Sequence, residues 1–226
     1  MTNADNVKSM ALMFNLLAEI FYRNPDEDLK KTFSELDTSL FITNGTNLQD
    51  PASKLLNDIK IHATKHSLAE LKQDFNMLFI RPKGKLAYPW GSVYLNKQNR
   101  LFDLTTLAFM EFCKKYQLNF TLSQNEPVDH FSLMLVALIH CMELDEAEEN
   151  SSINDFNESL CEHPETDRAA TLLQRHLLPW CGRFLTLVNE HSQTGFYSAA
   201  AQLSELLLAQ LQHDYQLTIK PVELYK

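Results

Sequence analysis

Apolar residues recur three and four positions apart along most of this chain, the spacing of one face of a helix. From about Asp5 to Arg23 they fall at Met10, Phe14, Leu17 and Phe21, with Met13 and Ile20 beside them. Asn24-Pro25 ends that helix and opens a second, with Asn24 as its cap and Leu29, Phe33 and Leu36 facing inward. Thr43 to Gln49 reads as a polar loop, and Asp50-Pro51 repeats the cap-then-proline pattern ahead of Leu55, Leu56 and Ile59. Ser67-Leu68-Ala69-Glu70 is a capping box, and the helix after it carries Leu71, Phe75, Leu78 and Phe79. Arg81 to Pro89 is a loop, and Trp90 to Leu95 continues it as an extended segment without a partner strand. Periodicity resumes from Asp103 to Tyr116, with Leu104, Leu107, Ala108 and Phe112 on one face, and again from Pro127 to Leu144, apolar nearly all round. Asp167 to Leu178 is helical up to a break at Pro179-Trp180, and helices over Cys181–His191 and Phe196–His213 complete the chain. The pattern predicts an all-α fold, a single globular domain of about eight to ten helices over residues 1–226.

Composition narrows the function. The net charge of −9 is local: ten acidic residues and no lysine or arginine lie between Glu143 and Asp167, and the rest of the chain is close to neutral. Residues 145–166 therefore read as an acidic, flexible insertion. No basic cluster suggests nucleic acid. The five glycines are scattered and form no phosphate-binding loop. Cys113, Cys141, Cys161 and Cys181 show neither zinc nor disulfide spacing and read as small core residues in a reducing cytoplasm. The first residues lack a signal-peptide pattern, and Leu133–Ile139 is too short to span a bilayer, so no membrane insertion is expected.

Candidate chemistry gathers in Gln124-Asn125-Glu126-Pro127-Val128-Asp129-His130. Proline and carboxylates suit a helix start, so Glu126 and Asp129 read as dipole-stabilising residues of the helix that follows. The same Glu126, Asp129 and His130 are also the makings of a small acid/base or metal centre, as in a hydrolase, although no nucleophile or oxyanion loop accompanies them. His62 and His66, four apart, read as a solvated pair on a polar face rather than metal ligands. Trp180 reads as core; Trp90, on a loop with Tyr88 and Tyr94, is open to either packing or binding.

The block Leu78–Leu95, with its Pro-Trp-Gly-Ser-Val-Tyr-Leu core, and the Glu-Pro-x-Asp-His motif at Glu126–His130 resemble the TorD/DmsD family of cytoplasmic chaperones. Trp90-Gly91-Ser92 and Gln124-Asn125 are similar to the DmsD branch, and the likeness extends to Leu177–Trp180 and Gly195–Tyr197. It departs at the acidic segment, which is longer here, and at Lys83-Gly84-Lys85. The resemblance implies a non-enzyme that binds the twin-arginine leader of a molybdoenzyme, a dimethyl sulfoxide or trimethylamine N-oxide reductase. The leader is held until cofactor insertion and folding precede export. It further implies contact with the catalytic subunit of that enzyme and with Tat translocase components, no resident metal or cofactor, and at most weak guanine-nucleotide binding. Carried over by position, the leader-binding residues are Trp90, Gly91, Pro127, Asp129 and His130, with Glu126, Leu78, Phe79 and Tyr88 beside them; Asp129 and Glu126 would pair with leader arginines.

Overall fold

Ten α-helices make up most of the described chain: the computed structural model describes residues 3–41, 49–82, 84–120, 126–154 and 167–226. No strand occurs among those residues; an isolated bridge joins Trp90 to His130. Helix α1 (Asn3–Tyr22) lies against α7 (Phe131–Asn154), and α10 (Phe196–Asp214) packs between α3 (Gln49–Lys65) and α9 (Leu178–His191). Phe14, Leu17 and Phe21 of α1 are buried as their spacing predicts. Phe21 meets Phe79, Phe131 and Phe184 edge-on at 5.3–6.0 Å, so one aromatic cluster ties α1, α7 and α9 together.

Several helix ends are set by their caps. Helix α2 (Glu27–Ser34) is capped by Asp26, which accepts from Leu29 N–H at 2.8 Å; this replaces the expected Asn24, because Pro25 is buried ahead of the helix rather than at its first turn. The Ser67–Glu70 capping box forms as expected on α4 (Leu68–Phe75). Asp74, buried on α4, accepts from Ser192, Gln193 and Thr194 and so fixes the α9–α10 turn.

Two wide turns were not foreseen. Residues Asn76–Ile80 continue α4 as a π turn, with Arg81 N–H donating to Asn76 O. The carbonyls of Met77 and Leu78 then accept from Leu86 and Ala87, which holds the following loop against the helix. A second π turn, Leu173–Leu177, joins α8 (Arg168–Leu172) to α9. It accommodates Pro179, which brings no N–H; the indole of Trp180 donates instead to His176 O at 2.8 Å, so the expected break is a widened turn.

Three further expectations change. Trp90–Leu95 is not extended: Gly91–Leu95 forms the short helix α5. Helix α6 (Leu104–Lys115) turns Thr106, Phe109, Phe112 and Cys113 inward, and leaves Leu104 75% exposed with Leu107 and Ala108 also outward. Both faces of α6 are apolar, and Phe109 and Phe112 win because they pack on His176 at 5.4 and 5.1 Å. Residues 145–154, expected within the acidic insertion, continue α7, where Asp145 and Glu148 bind Arg168 of α8. Residues 155–166, Cys161 among them, lie outside the described residues, as do 42–48 of the first polar loop. Cys113, Cys141 and Cys181 are buried free thiols, and burial pushes each up to about 12.

His62 and His66 stack at 6.1 Å, but His62 is half-buried, not solvated. Gly195, at φ +78°, brings its backbone against the imidazole, and a β-carbon there would lie 2.6 Å from it. Burial, aided by the neighbouring His66, holds the His62 pKa below the ordinary value.

Candidate functional site

Two loops remote in sequence are locked together by hydrogen bonds. Phe131 N–H donates to Pro89 O at 2.7 Å, and Gly91 N–H donates to Asp129 O at 3.2 Å. Ser92 N–H donates to the Asp129 carboxylate at 2.7 Å. Helix α7 thus begins at Phe131, and residues 127–130 form a turn ahead of it. This corrects the expectation that Pro127 starts the helix and that Asp129 serves its dipole. Asp129 instead places its charge at the N-terminus of α5, where the exposed backbone N–H groups favour an anion.

The cap of α7 comes from a histidine. His130 Nδ1 accepts from Ser132 N–H at 3.2 Å, which fixes the neutral tautomer with its proton on Nε2. Burial brings the His130 pKa down to about 3. Its ring meets Tyr22 and Trp90 edge-on at 5.3 and 5.5 Å, and Nε2 lies 3.9 Å from Glu126 Oε1. Glu126 lies beside Tyr22, and burial raises its carboxyl although the Tyr22 hydroxyl opposes the shift.

Asp129 is 1% exposed. Burial raises its pKa, opposed by Ser92 N–H and by the hydroxyls of Ser92 and Thr106 beside it. Its Oδ1 is buried without a hydrogen-bond partner, and the residue lines a cavity of about 440 Å³ with Thr105, Glu111, Arg175 and His176. So Glu126 and His130 approach to 3.9 Å, but Asp129 turns to Ser92 and the three do not form one centre. Asp129 faces α5, His130 faces its own helix, and Glu126 faces Tyr22. No group of three or more potential metal ligands occurs among the described residues. The geometry gives the hydrolytic or metal-centre reading no support.

Gly91 has a steric reason to be glycine. A β-carbon there would lie 2.7 Å from Trp180 Nε1, and Trp180 is itself stacked on Tyr94 at 5.6 Å. Pro127 is buried in the turn between Glu126 and Asp129. Leu78 and Phe79, expected as part of a binding wall, are 0% and 2% exposed. They belong to the core, and the Leu78 carbonyl accepts from Ala87 N–H at 3.0 Å, which holds the loop leading to Tyr88 and Trp90.

Those two aromatics stay half-buried at the rim, and each has a lysine ammonium over its ring. Lys85 lies 5.6 Å from the Trp90 ring centre and Lys226 lies 4.6 Å from that of Tyr88. The Trp90 indole N–H is buried without a partner. Tyr88 N–H donates to the Tyr94 hydroxyl at 3.1 Å, which ties the rim to the core. The site therefore brings together Trp90, Gly91, Glu126, Pro127, Asp129, His130 and Tyr88. Sequence reasoning missed Tyr22, Lys85, Ser92 and the residues at the end of the chain. Tyr22 offered one signal, an aromatic near the end of a helix with its neighbour Phe21 already assigned to the core.

Comparison with known proteins gives a family match, two relatives and a solved structure. The family described as nitrate reductase delta subunit matches residues 44–186. The Tat proofreading chaperone DmsD of Salmonella typhimurium is 36% identical over 147 residues, 65% of this chain and 63% of that one, so the chain spans under two thirds of that relative's length. A Haemophilus influenzae protein assigned as a Tat proofreading chaperone DmsD is 26% identical over 228 residues, 98% of this chain and 99% of that one. Among solved structures, an Archaeoglobus fulgidus protein assigned to redox enzyme maturation shares the fold, with a TM-score of 0.51 at 17% identity, covering 91% of this chain and 96% of that one.

Proposed function

The chain belongs to the nitrate reductase delta subunit family, that of the TorD/DmsD chaperones, and we propose that it binds the twin-arginine leader of a molybdoenzyme in the cytoplasm. It holds that leader until cofactor insertion and folding precede export. The DmsD-like segments Trp90-Gly91-Ser92 and Gln124-Asn125, and the DmsD relatives, favour dimethyl sulfoxide reductase as the client over trimethylamine N-oxide reductase.

One observation carries the reading: two half-buried aromatic rings, Trp90 and Tyr88, stand at the rim with a cation already over each. Such faces attract guanidinium more readily than ammonium, because the planar group stacks and is less strongly hydrated. Two adjacent leader arginines would replace Lys85 and Lys226 on these rings. Glu126, half-buried and near the rim, would add a carboxylate. Asp129, being buried, acts from behind by holding α5 and thereby Trp90 in place. The leader is unstructured when free, and ordering it removes about 2–5 kcal/mol of the gross interaction, which suits a chaperone that must release its client.

Titration calorimetry with a synthetic leader peptide tests this. Trp90→Ala should weaken binding about tenfold, the loss expected of an aromatic anchor, and a peptide with Gln-Gln for Arg-Arg should bind no better. Failure of the unaltered peptide to bind the unaltered chain would overturn the proposal.

A further inference from the structure

After α10 the chain does not leave the molecule. Leu217 stays hydrogen-bonded to Gln212, and Thr218 O accepts from Gln174 at 3.0 Å. Six residues then cross the surface, five of them exposed, Val222 and Leu224 included. The segment docks again at its end. Tyr225 N–H donates to Tyr94 O at 3.0 Å, Asn99 donates to Tyr225 O at 3.4 Å, and Arg183 Nε donates to Lys226 O at 3.1 Å. Lys226 then places its ammonium over Tyr88.

We propose that residues 217–226 are a built-in occupant of the leader site, a strap whose Tyr225-Lys226 end holds the place of the client's basic residues and must be displaced for the client to dock. This rests on the leader-binding reading above and names how that same site is regulated. Three features support it. The strap approaches α5 as a segment without regular secondary structure, and its backbone N–H at Tyr225 donates to the Tyr94 carbonyl of α5, a main-chain bond of the kind an incoming peptide would make. It lays a cation on an aromatic ring of the rim, the chemistry expected of the client. Its middle is exposed, so the hold lies in its contacts at Leu217–Thr218 and Tyr225–Lys226, and the latter can break without opening the core.

The consequence is competition within one chain. If the strap is docked about four-fifths of the time, the site is free for about one-fifth, and apparent affinity falls about fivefold from its intrinsic value. A client with two guanidinium groups outcompetes the strap, whereas a lone basic residue on an unrelated peptide does not. The strap therefore also screens.

The full-length variant Tyr225→Pro/Lys226→Ala removes the donated N–H and the cation without touching α5 or the rim. A peptide carrying Arg-Arg followed by an apolar run should bind it about fivefold more tightly than the unaltered chain, with unchanged circular dichroism. In parallel, hydrogen exchange on the unaltered chain should show amides in 217–226 exchanging faster once that peptide is added, while residues 84–92 slow. Equal or weaker binding by the variant overturns the strap and leaves the leader-binding reading standing, as does a strap whose exchange is unchanged or slowed. No binding to either chain overturns both.

Discussion

Replacing Asp129 separates two roles that look alike in sequence. If the carboxylate were a surface partner for an arginine, Asp129→Ala would lose binding at unchanged stability. The structure assigns it to α5: it accepts from Ser92 N–H at 2.7 Å at a position 1% exposed. Asp129→Ala removes a hydrogen bond to a charged group, about 1.5–3 kcal/mol, and strands a buried N–H, about 1–3 kcal/mol. These overlap, so a loss of about 2–4 kcal/mol is expected. In a chain of this size that is a fall in Tm of about 5–15 °C. Asp129→Asn keeps an acceptor for Ser92 N–H, and its amide supplies donors for the buried hydroxyls beside it. It also removes an ionised group that burial disfavours. The Asp129 pKa is raised, so its contribution is most favourable below the ordinary carboxylate value and is lost as pH rises through the folded-state value. At neutral pH Asp129→Asn should therefore be within about 1 kcal/mol of the unaltered chain or above it. Urea unfolding followed by circular dichroism, with calorimetry of the leader peptide, measures both sides. An alanine variant that unfolds within 2 °C of the unaltered chain would refute the clamp.

Other outcomes follow from the same geometry. His130 is buried neutral with a pKa near 3, so its contribution is fully present above about pH 6.5 and is lost as pH falls toward 3. By pH 5 the loss is about 2 kcal/mol. His130→Asn, which keeps a cap for α7, should flatten that part of the stability–pH curve, and a parallel curve would contradict the assignment. Gly195→Ala should cost about 2 kcal/mol through its positive φ and its approach to His62. Since the close atoms all belong to His62, His62→Ala should recover part of that loss, and strict additivity in the double variant would argue against the contact. On α6, Leu104→Gln and Leu107→Gln should each change stability by no more than about 0.5 kcal/mol, whereas Phe109→Ala should cost about 3–5 kcal/mol. Denaturant midpoints giving the reverse order would restore the sequence-based orientation of that helix.

Most helices were legible from apolar periodicity, as Phe14, Leu17 and Phe21 facing the core show; the Ser67–Glu70 box also forms as read, whereas the ends read at Asn24 and Pro127 do not. What escaped was information that no local window contains. A π turn shifts the helical phase by one residue, and Asn76–Ile80 has no residue that announces it; only the pairing of Met77 and Leu78 with Leu86 and Ala87 explains it. On α6, periodicity identified a helix but could not choose between two apolar faces, which His176 decides from another helix. At the site, residue types pointed to Glu126–His130 and family resemblance supplied Trp90. Neither said that Asp129 would cap α5 or that Tyr22 and Lys226 would approach from opposite ends of the chain.

The lock between Pro89–Ser92 and Asp129–Phe131 also has a bearing on the order of assembly. It closes an excursion of some forty residues that contains α5 and α6. Closing a loop of that length sacrifices about 3 kcal/mol of chain entropy before any contact repays it, so local helices form first and the join comes late. The same join is the natural boundary of a sub-global opening, in which α5 and α6 detach together while α1, α3, α9 and α10 remain packed. Trp90, Asp129 and His130 reach their places only when that circuit closes, so the site they form exists only in a chain that has itself finished folding.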